Sequence, residues 1–198
     1  MGVRHERPER IGIFGGTFDP PHIGHLLAAT EARTALGLDR VLMVVANEPW
    51  QKVGTRPLSA ASDRLALVEA AVAGAEGLEV SDLELRRGGP SYTADTLADV
   101  GRDHPEAELF VILGKDAAVG FTTWERYEEV ADRAALVVVD RPGTPAPTDP
   151  RFDWIRLDIP ELEISSTDLR QRVAEGRSIA YLTPMEVASV IDDRGLYR

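Results

Sequence analysis

Cysteine is absent from this 198-residue chain. That excludes disulfides, thiolate catalysis and cysteine-ligated zinc. Lysine is nearly absent as well: of 22 basic residues only Lys52 and Lys115 are lysines. Basic residues are outnumbered by 33 acidic ones, a formal charge of −11, so the basic surface that broad binding to a nucleic-acid backbone needs is missing. No apolar run is long enough to cross a bilayer, and the polar segment from Met1 to Arg10 has no secretory core. The expectation is a cytoplasmic protein with neither a nucleic-acid nor a membrane partner; a homo-oligomer is compatible with it. A small anionic substrate would need a local positive site.

At 43% hydrophobic residues the length suits one domain over 1–198, with a flexible terminus at 1–10 and a helical C-terminal part at 166–198. Near-continuous apolar runs at Ile11 to Phe14, Arg40 to Ala46, Leu109 to Leu113 and Ala134 to Val139 read as strands buried on both faces. Leu78 to Leu85 and Trp154 to Ile159 alternate and read as less buried strands, the second at an edge. Helices are expected from Ile23 to Leu36, from Ser59 to Ala73 with Ser59 or Ser62 as cap, from Ser91 as cap to about Gly101, around Trp124 to Ala131, from Ser166 to about Glu175 and from Pro184 to about Asp193. Strands alternating with helices imply a doubly wound α/β fold, a mostly parallel sheet covered on both faces. The proline-rich stretch Arg141 to Pro150 reads as a surface loop. Both lysines fall just past the carboxyl ends of strands, the edge where such sheets bind ligands.

Three stretches carry chemistry. Gly15-Gly-Thr-Phe-Asp-Pro-Pro-His-Ile-Gly-His25 is a strand-to-helix turn. Its glycines admit a ligand close to the backbone, and a helix N-terminus offers amides and a positive dipole end to phosphate. His22 and His25, three apart, share a face in the first turn, with Gly24 expected to keep the surface between them open. The second stretch is Ile164-Ser-Ser-Thr-Asp-Leu-Arg170, where Ser165 and Asp168 fit a capping box and Arg170 lies one turn inside. A guanidinium there can grip two phosphate oxygens. The third runs from Gly88-Gly-Pro-Ser-Tyr-Thr to Leu97, with Trp124 about thirty residues on. Amides near Thr93 can receive a carboxylate, and an indole face can stack on a cationic ring. Spacing alone favours reading Tyr92 and Trp124 as core aromatics.

The first two stretches resemble the H-x-G-H and S-S-T-x-x-R signatures of a nucleotidyltransferase superfamily with a Rossmann-like fold. Gly-Pro-Ser-Tyr-Thr followed by Thr-Trp resembles the bacterial nicotinate mononucleotide adenylyltransferases within it. That resemblance implies transfer of the adenylyl group of ATP to nicotinate mononucleotide, with pyrophosphate as leaving group. It implies that His22, His25 and Arg170 are catalytic, that Gly15, Gly16, Thr17, Phe18, Gly114, Asp116, Arg141, Ser166 and Thr167 bind ATP, and that Asn47, Lys52, Tyr92, Thr93, Trp124 and Glu125 bind the mononucleotide. Magnesium is expected on the ATP phosphates, with no dedicated protein cage. One departure stands out: many members have Pro-Pro-His-Lys where this chain has Pro49-Trp50-Gln51-Lys52. Nicotinamide mononucleotide or phosphopantetheine as acceptor, or a nucleotide sensor without turnover, are the alternatives.

Overall fold

Four apolar runs do become central strands, and a computed structural model shows how they associate. It describes residues 7–50, 57–140, 146–160 and 162–198. The strands are β1 (Arg10–Gly16), β2 (Arg40–Val45), β3 (Leu78–Ser81), β4 (Glu108–Gly114), β5 (Ala135–Asp140) and β6 (Trp154–Asp158). They form one six-stranded sheet in the order β3-β2-β1-β4-β5-β6, and every pairing among the described residues is parallel. β1 and β4 are the strands between which the winding reverses, so their carboxyl ends, at Gly16 and Gly114, flank the natural crevice of the fold.

The helices are α1 (Ile23–Leu36), α2 (Ala61–Val72), α3 (Leu83–Arg87), α4 (Thr93–Asp103), α5 (Lys115–Val119), α6 (Tyr127–Arg133), α7 (Ser166–Ala174) and α8 (Met185–Asp193). One face of the sheet, with Ile13, Val111 and Val138, packs on Leu97 of α4 and Val130 of α6. The other, with Phe14, Met43, Ile112 and Val137, packs on Ala28, Ala29 and Ala32 of α1 and Val68 of α2. Alternation along each strand sends neighbours to opposite faces, which is why a sheet covered twice needs continuous apolar runs. Leu67 and Ala71 of α2 also meet Leu169, Val187 and Ile191, and this third cluster docks α7 and α8 on the sandwich.

Several local expectations are corrected. Leu78 to Leu85 is not one strand: it stops at Ser81, and Leu83–Arg87 turns into the short helix α3. α2 begins after Ala60 with no side-chain cap from Ser59 or Ser62. Tyr92, not Ser91, is the N-cap of α4. Trp124 lies outside a helix, between a 3-10 turn at Phe121–Thr123 and α6. At the N-terminal end Arg10 already belongs to β1, and Arg7 pairs with Asp39 at 2.9 Å.

Candidate active site

A cavity of about 440 Å³ opens at the crevice between β1 and β4. Its wall includes Gly15, Gly16, Thr17, Gly114 and Asp116 on one side, and Ser91, Tyr92, Thr93, Trp124 and Glu125 on the other. Two groups of predicted residues, each drawn from both halves of the chain, therefore share one pocket. Lys52 and Arg141 lie outside the described residues.

Phe18, His22 and His25 follow Thr17 in the chain but are not among the residues that line the cavity. Phe18 takes a left-handed φ of 50° and folds its ring back over Gly16, where a Cβ would lie 2.7 Å from the ring. That ring is buried, so Phe18 can offer a nucleotide only its backbone. It stands edge-on to His25 at 5.2 Å and so fixes the imidazole from behind. His22 is the extended N-cap of α1, and its ring stacks on that of His25 with centroids 3.7 Å apart. The His22 amide donates to Nδ1 of His25 at 3.1 Å. An Nδ1 that accepts carries no proton, so in the neutral ring the proton sits on Nε2. Gly24 does not simply keep the surface open. A Cβ there would lie 3.0 Å from Nδ1 of His22, so the glycine makes room for that imidazole. The amides of α1 are also less free than expected, because Ile23 N–H donates to the Leu182 carbonyl at 3.0 Å. The imidazoles thus carry more of any phosphate contact than the turn alone suggests.

Burial lowers the His22 pKa from 6.5 to about 4, so this ring is neutral at pH 7. Below pH 6.5 the unfolded chain takes up a proton that the folded chain refuses, so stability falls as pH drops towards 4 and this contribution levels off below that. The full loss is about 3 kcal/mol. Thermal unfolding of wild type and His22→Gln from pH 7 to pH 4 is expected to show the steeper decline in wild type. Parallel declines would remove the assignment.

The second motif reaches the first. Ser166 Oγ donates to the Pro20 carbonyl at 2.8 Å, and Arg170 Nη1 to the Asp19 carbonyl at 2.7 Å, contacts spanning 146 and 151 residues. Arg170 Nη2 also donates to Thr167 Oγ1 at 3.1 Å, which orients the guanidinium and leaves the Thr167 hydroxyl proton free to donate. Ser165 caps α7 by accepting from Asp168 N–H at 3.1 Å, but the capping box is not reciprocal: the Asp168 carboxylate turns to Arg172 at 2.7 Å.

Across the cavity, the N-terminus of α4 reaches its wall through Tyr92, Thr93 and Thr96. Trp124 does two jobs, packing against Phe121 at 5.7 Å and lining the cavity. Its buried indole N–H has no partner among the described residues, a deficit that a ligand oxygen can relieve. Asn47 is outside the lining. Its side-chain amide donates to the Gly89 carbonyl at 2.9 Å and its backbone N–H to Ser91 Oγ at 2.8 Å, so it braces the loop that carries Tyr92 and Thr93.

Three residues at the site were not foreseen. Glu84, carried to the wall by α3, is buried and accepts from Thr96 Oγ1 at 2.5 Å. The strand reading of Leu78 to Leu85 hid it. Trp50 also lines the cavity, and its only signal was its departure from the family pattern. Tyr197, the penultimate residue, donates its hydroxyl to the buried carboxylate of Asp19 at 2.7 Å. Burial, and then that bond, hold its phenol above the usual range. No local pattern announces such a contact.

Residues 13–172 match the cytidylyltransferase-like family. A chain of Thermus thermophilus called a probable nicotinate-nucleotide adenylyltransferase is 48% identical over 189 residues, covering 96% of this chain and 100% of its own. One of the same name from Saccharopolyspora erythraea is 42% identical over 194 residues, covering 97% and 91%. Among solved structures, Plasmodium falciparum nicotinic acid mononucleotide adenylyltransferase complexed with NaAD superposes with a TM-score of 0.77 at 20% identity, over 96% of this chain and 97% of that one. At such identity the likeness is one of fold.

Proposed function

The chain belongs to the cytidylyltransferase-like family and, within it, to the nicotinate-nucleotide adenylyltransferases, and on that premise we propose how its pocket joins ATP to nicotinate mononucleotide, giving nicotinate adenine dinucleotide and pyrophosphate. The observation that carries this reading is the docking of α7 on the loop before α1, where Arg170 Nη1 donates to the carbonyl of Asp19, three residues before His22 in the chain, at 2.7 Å.

A phosphate oxygen of the mononucleotide attacks the α-phosphorus of ATP in line. The bond from that phosphorus to the bridging oxygen breaks, and its electron pair leaves with pyrophosphate. A phosphate monoester has a second pKa of about 6, so the nucleophile is already ionised at neutral pH and no general base is needed. Catalysis is then alignment plus stabilisation of charge on the bridging and leaving oxygens. His25 supplies its Nε2–H, His22 a neutral imidazole, and Arg170 a permanent charge. Gly15, Gly16, Thr17 and the Phe18 backbone follow the nucleotide, with Ser166 and Thr167 at its phosphates. Gly114 and Asp116 serve the ribose; Arg141, outside the described residues, is assigned to the adenine by the family resemblance alone.

Tyr92, Thr93, Trp124 and Glu125 surround the nicotinate ring, with the N-terminus of α4 towards its carboxylate. Asn47 supports that pocket; Lys52, outside the described residues, is assigned to the acceptor's phosphate by the family resemblance alone. Among the described residues no group of three His, Cys, Asp or Glu could hold a metal ion. Magnesium is part of the same proposal, as an ion carried on the ATP phosphates, where it would offset their charge. No helix among the described residues is long and apolar enough to cross a membrane, and a cytoplasmic location is part of the same proposal.

Pyrophosphate release from ATP and magnesium, with nicotinate mononucleotide, nicotinamide mononucleotide and phosphopantetheine offered separately, tests the reading. The carboxylate contact predicts a preference for the acid over the amide of about 10- to 100-fold in kcat/KM, the equivalent of one charge-assisted hydrogen bond. Equal use of acid and amide would discard the carboxylate pocket. Release with phosphopantetheine alone would discard the acceptor.

A further inference from the structure

Arg64 is among the most deeply buried large side chains of the protein, 1% exposed, and belongs to neither signature motif. It projects from the first turn of α2 into the space behind the ends of β1 and β2. Its guanidinium donates to four backbone carbonyls: Nε to Ser59 at 3.1 Å, Nη1 to Thr17 at 3.0 Å and Ala46 at 2.6 Å, and Nη2 to Asn47 at 3.0 Å. Thr17 belongs to the nucleotide loop. Ala46 and Asn47 leave β2 on the acceptor side, and Asn47 itself holds Gly89 and Ser91, which lead into Tyr92 and Thr93. An unbroken series of hydrogen bonds therefore runs from the nucleotide loop through one cation to the acceptor pocket.

Packing alone does not account for an arginine here. A fully buried cation is unfavourable unless its donors are met, and a planar fork is the one side chain that can serve four separated carbonyls together. The carbonyls come from three segments: the β1–β2 ladder ends where the Ala46 N–H donates to the Gly16 carbonyl at 3.0 Å, and Arg64 continues the tie past that point, to Thr17, Asn47 and Ser59.

We propose that Arg64 is a positioning residue for adenylyl transfer, fixing the nucleotide loop at Thr17 against the acceptor pocket at Asn47 to Thr93. The inference rests on the adenylyltransferase reading for its effect on rate, but the mechanical coupling is independent of which acceptor is used. Arg64 touches no reacting atom. It acts by holding the two phosphates at the separation and angle that in-line attack requires, where a displacement of about 1 Å costs about 100-fold in rate.

The experiment compares wild type, Arg64→Lys and Arg64→Met at a temperature where thermal unfolding shows all of them folded. Lysine keeps the charge but has no planar fork, so it cannot hold all four carbonyls. Both variants are expected to lose about 100-fold in kcat, while the KM for ATP changes less than threefold. A residue needed only for folding would lower the folded fraction and leave kcat per folded molecule unchanged, and the lysine variant would recover it. The second readout needs no turnover. ATP alone is expected to slow amide exchange at residues 89–96 in wild type, and not in Arg64→Met. If ATP leaves those amides of wild type unprotected, or protects the variant equally, the coupling is overturned whatever the acceptor proves to be. If protection differs as expected but nicotinate mononucleotide is not used, Arg64 keeps its role and the acceptor assignment is what fails.

Discussion

Arg170→Ala is expected to lower kcat/KM for ATP by about 1,000-fold, the lower end of what one arginine contributes to phosphoryl transfer. Two losses combine. The charge facing the phosphates disappears, and so does the tie from α7 to the Asp19 carbonyl at 2.7 Å that brings the second motif to the first. Arg170→Lys separates them. A lysine keeps the charge but cannot bond the Asp19 carbonyl and Thr167 Oγ1 while also presenting two donors to phosphate. It should recover about tenfold of the loss and no more, because charge without the fork restores attraction but not alignment. Steady-state kinetics of the three proteins at one ionic strength decide the matter. Wild-type rates in the lysine variant would show that the geometry contributes nothing.

His25→Ala should reduce kcat about 100- to 1,000-fold, the usual effect of removing one preorganised donor to a developing negative charge. The KM for ATP should change much less, since the donor matters most when charge has moved to the leaving oxygens. The fold should survive. The ring does accept the His22 amide at 3.1 Å, but losing a capping acceptor costs only about 1 kcal/mol, and Phe18 stays buried against Phe14 at 6.0 Å. Pyrophosphate release measured beside the thermal midpoint separates the two effects. A midpoint lowered by only a few degrees with a collapsed kcat is the expected pair; full activity would take His25 out of the mechanism.

The sheet was legible because of a strong physical constraint. A parallel strand covered on both faces must be apolar along its whole length, and β1, β2, β4 and β5 all are. β3 and α3 were misjudged for the opposite reason. Leu78 to Leu85 alternates over a stretch where four residues of strand give way to five of helix, and neither piece is long enough to show its period. That error concealed Glu84. Trp124 was ambiguous between core and pocket because it serves both, with one part of the indole on Phe121 and another at the cavity.

From residue order alone came the class of fold and two candidate phosphate motifs, which depend on requirements that are local in the chain: a glycine turn, a helix start, imidazoles three residues apart. The expected acceptor came from the resemblance to a family. Folding alone decided how the pieces meet. Arg170 and Ser166 grip the carbonyls of Asp19 and Pro20 across about 150 residues, Tyr197 closes on Asp19 from the far end of the chain, and Arg64 joins the ends of two strands. In most of these contacts the acceptor is a backbone carbonyl, which every residue type carries, so the partner leaves no trace in the amino-acid order. Asn47 makes the same point from the other direction: its side chain suited a ligand, but once β2 and the Gly88-Gly89 turn are neighbours, the nearest acceptor is the Gly89 carbonyl at 2.9 Å. A hydrogen bond is made with whatever the fold brings within 3 Å, and only the tertiary structure says what that is.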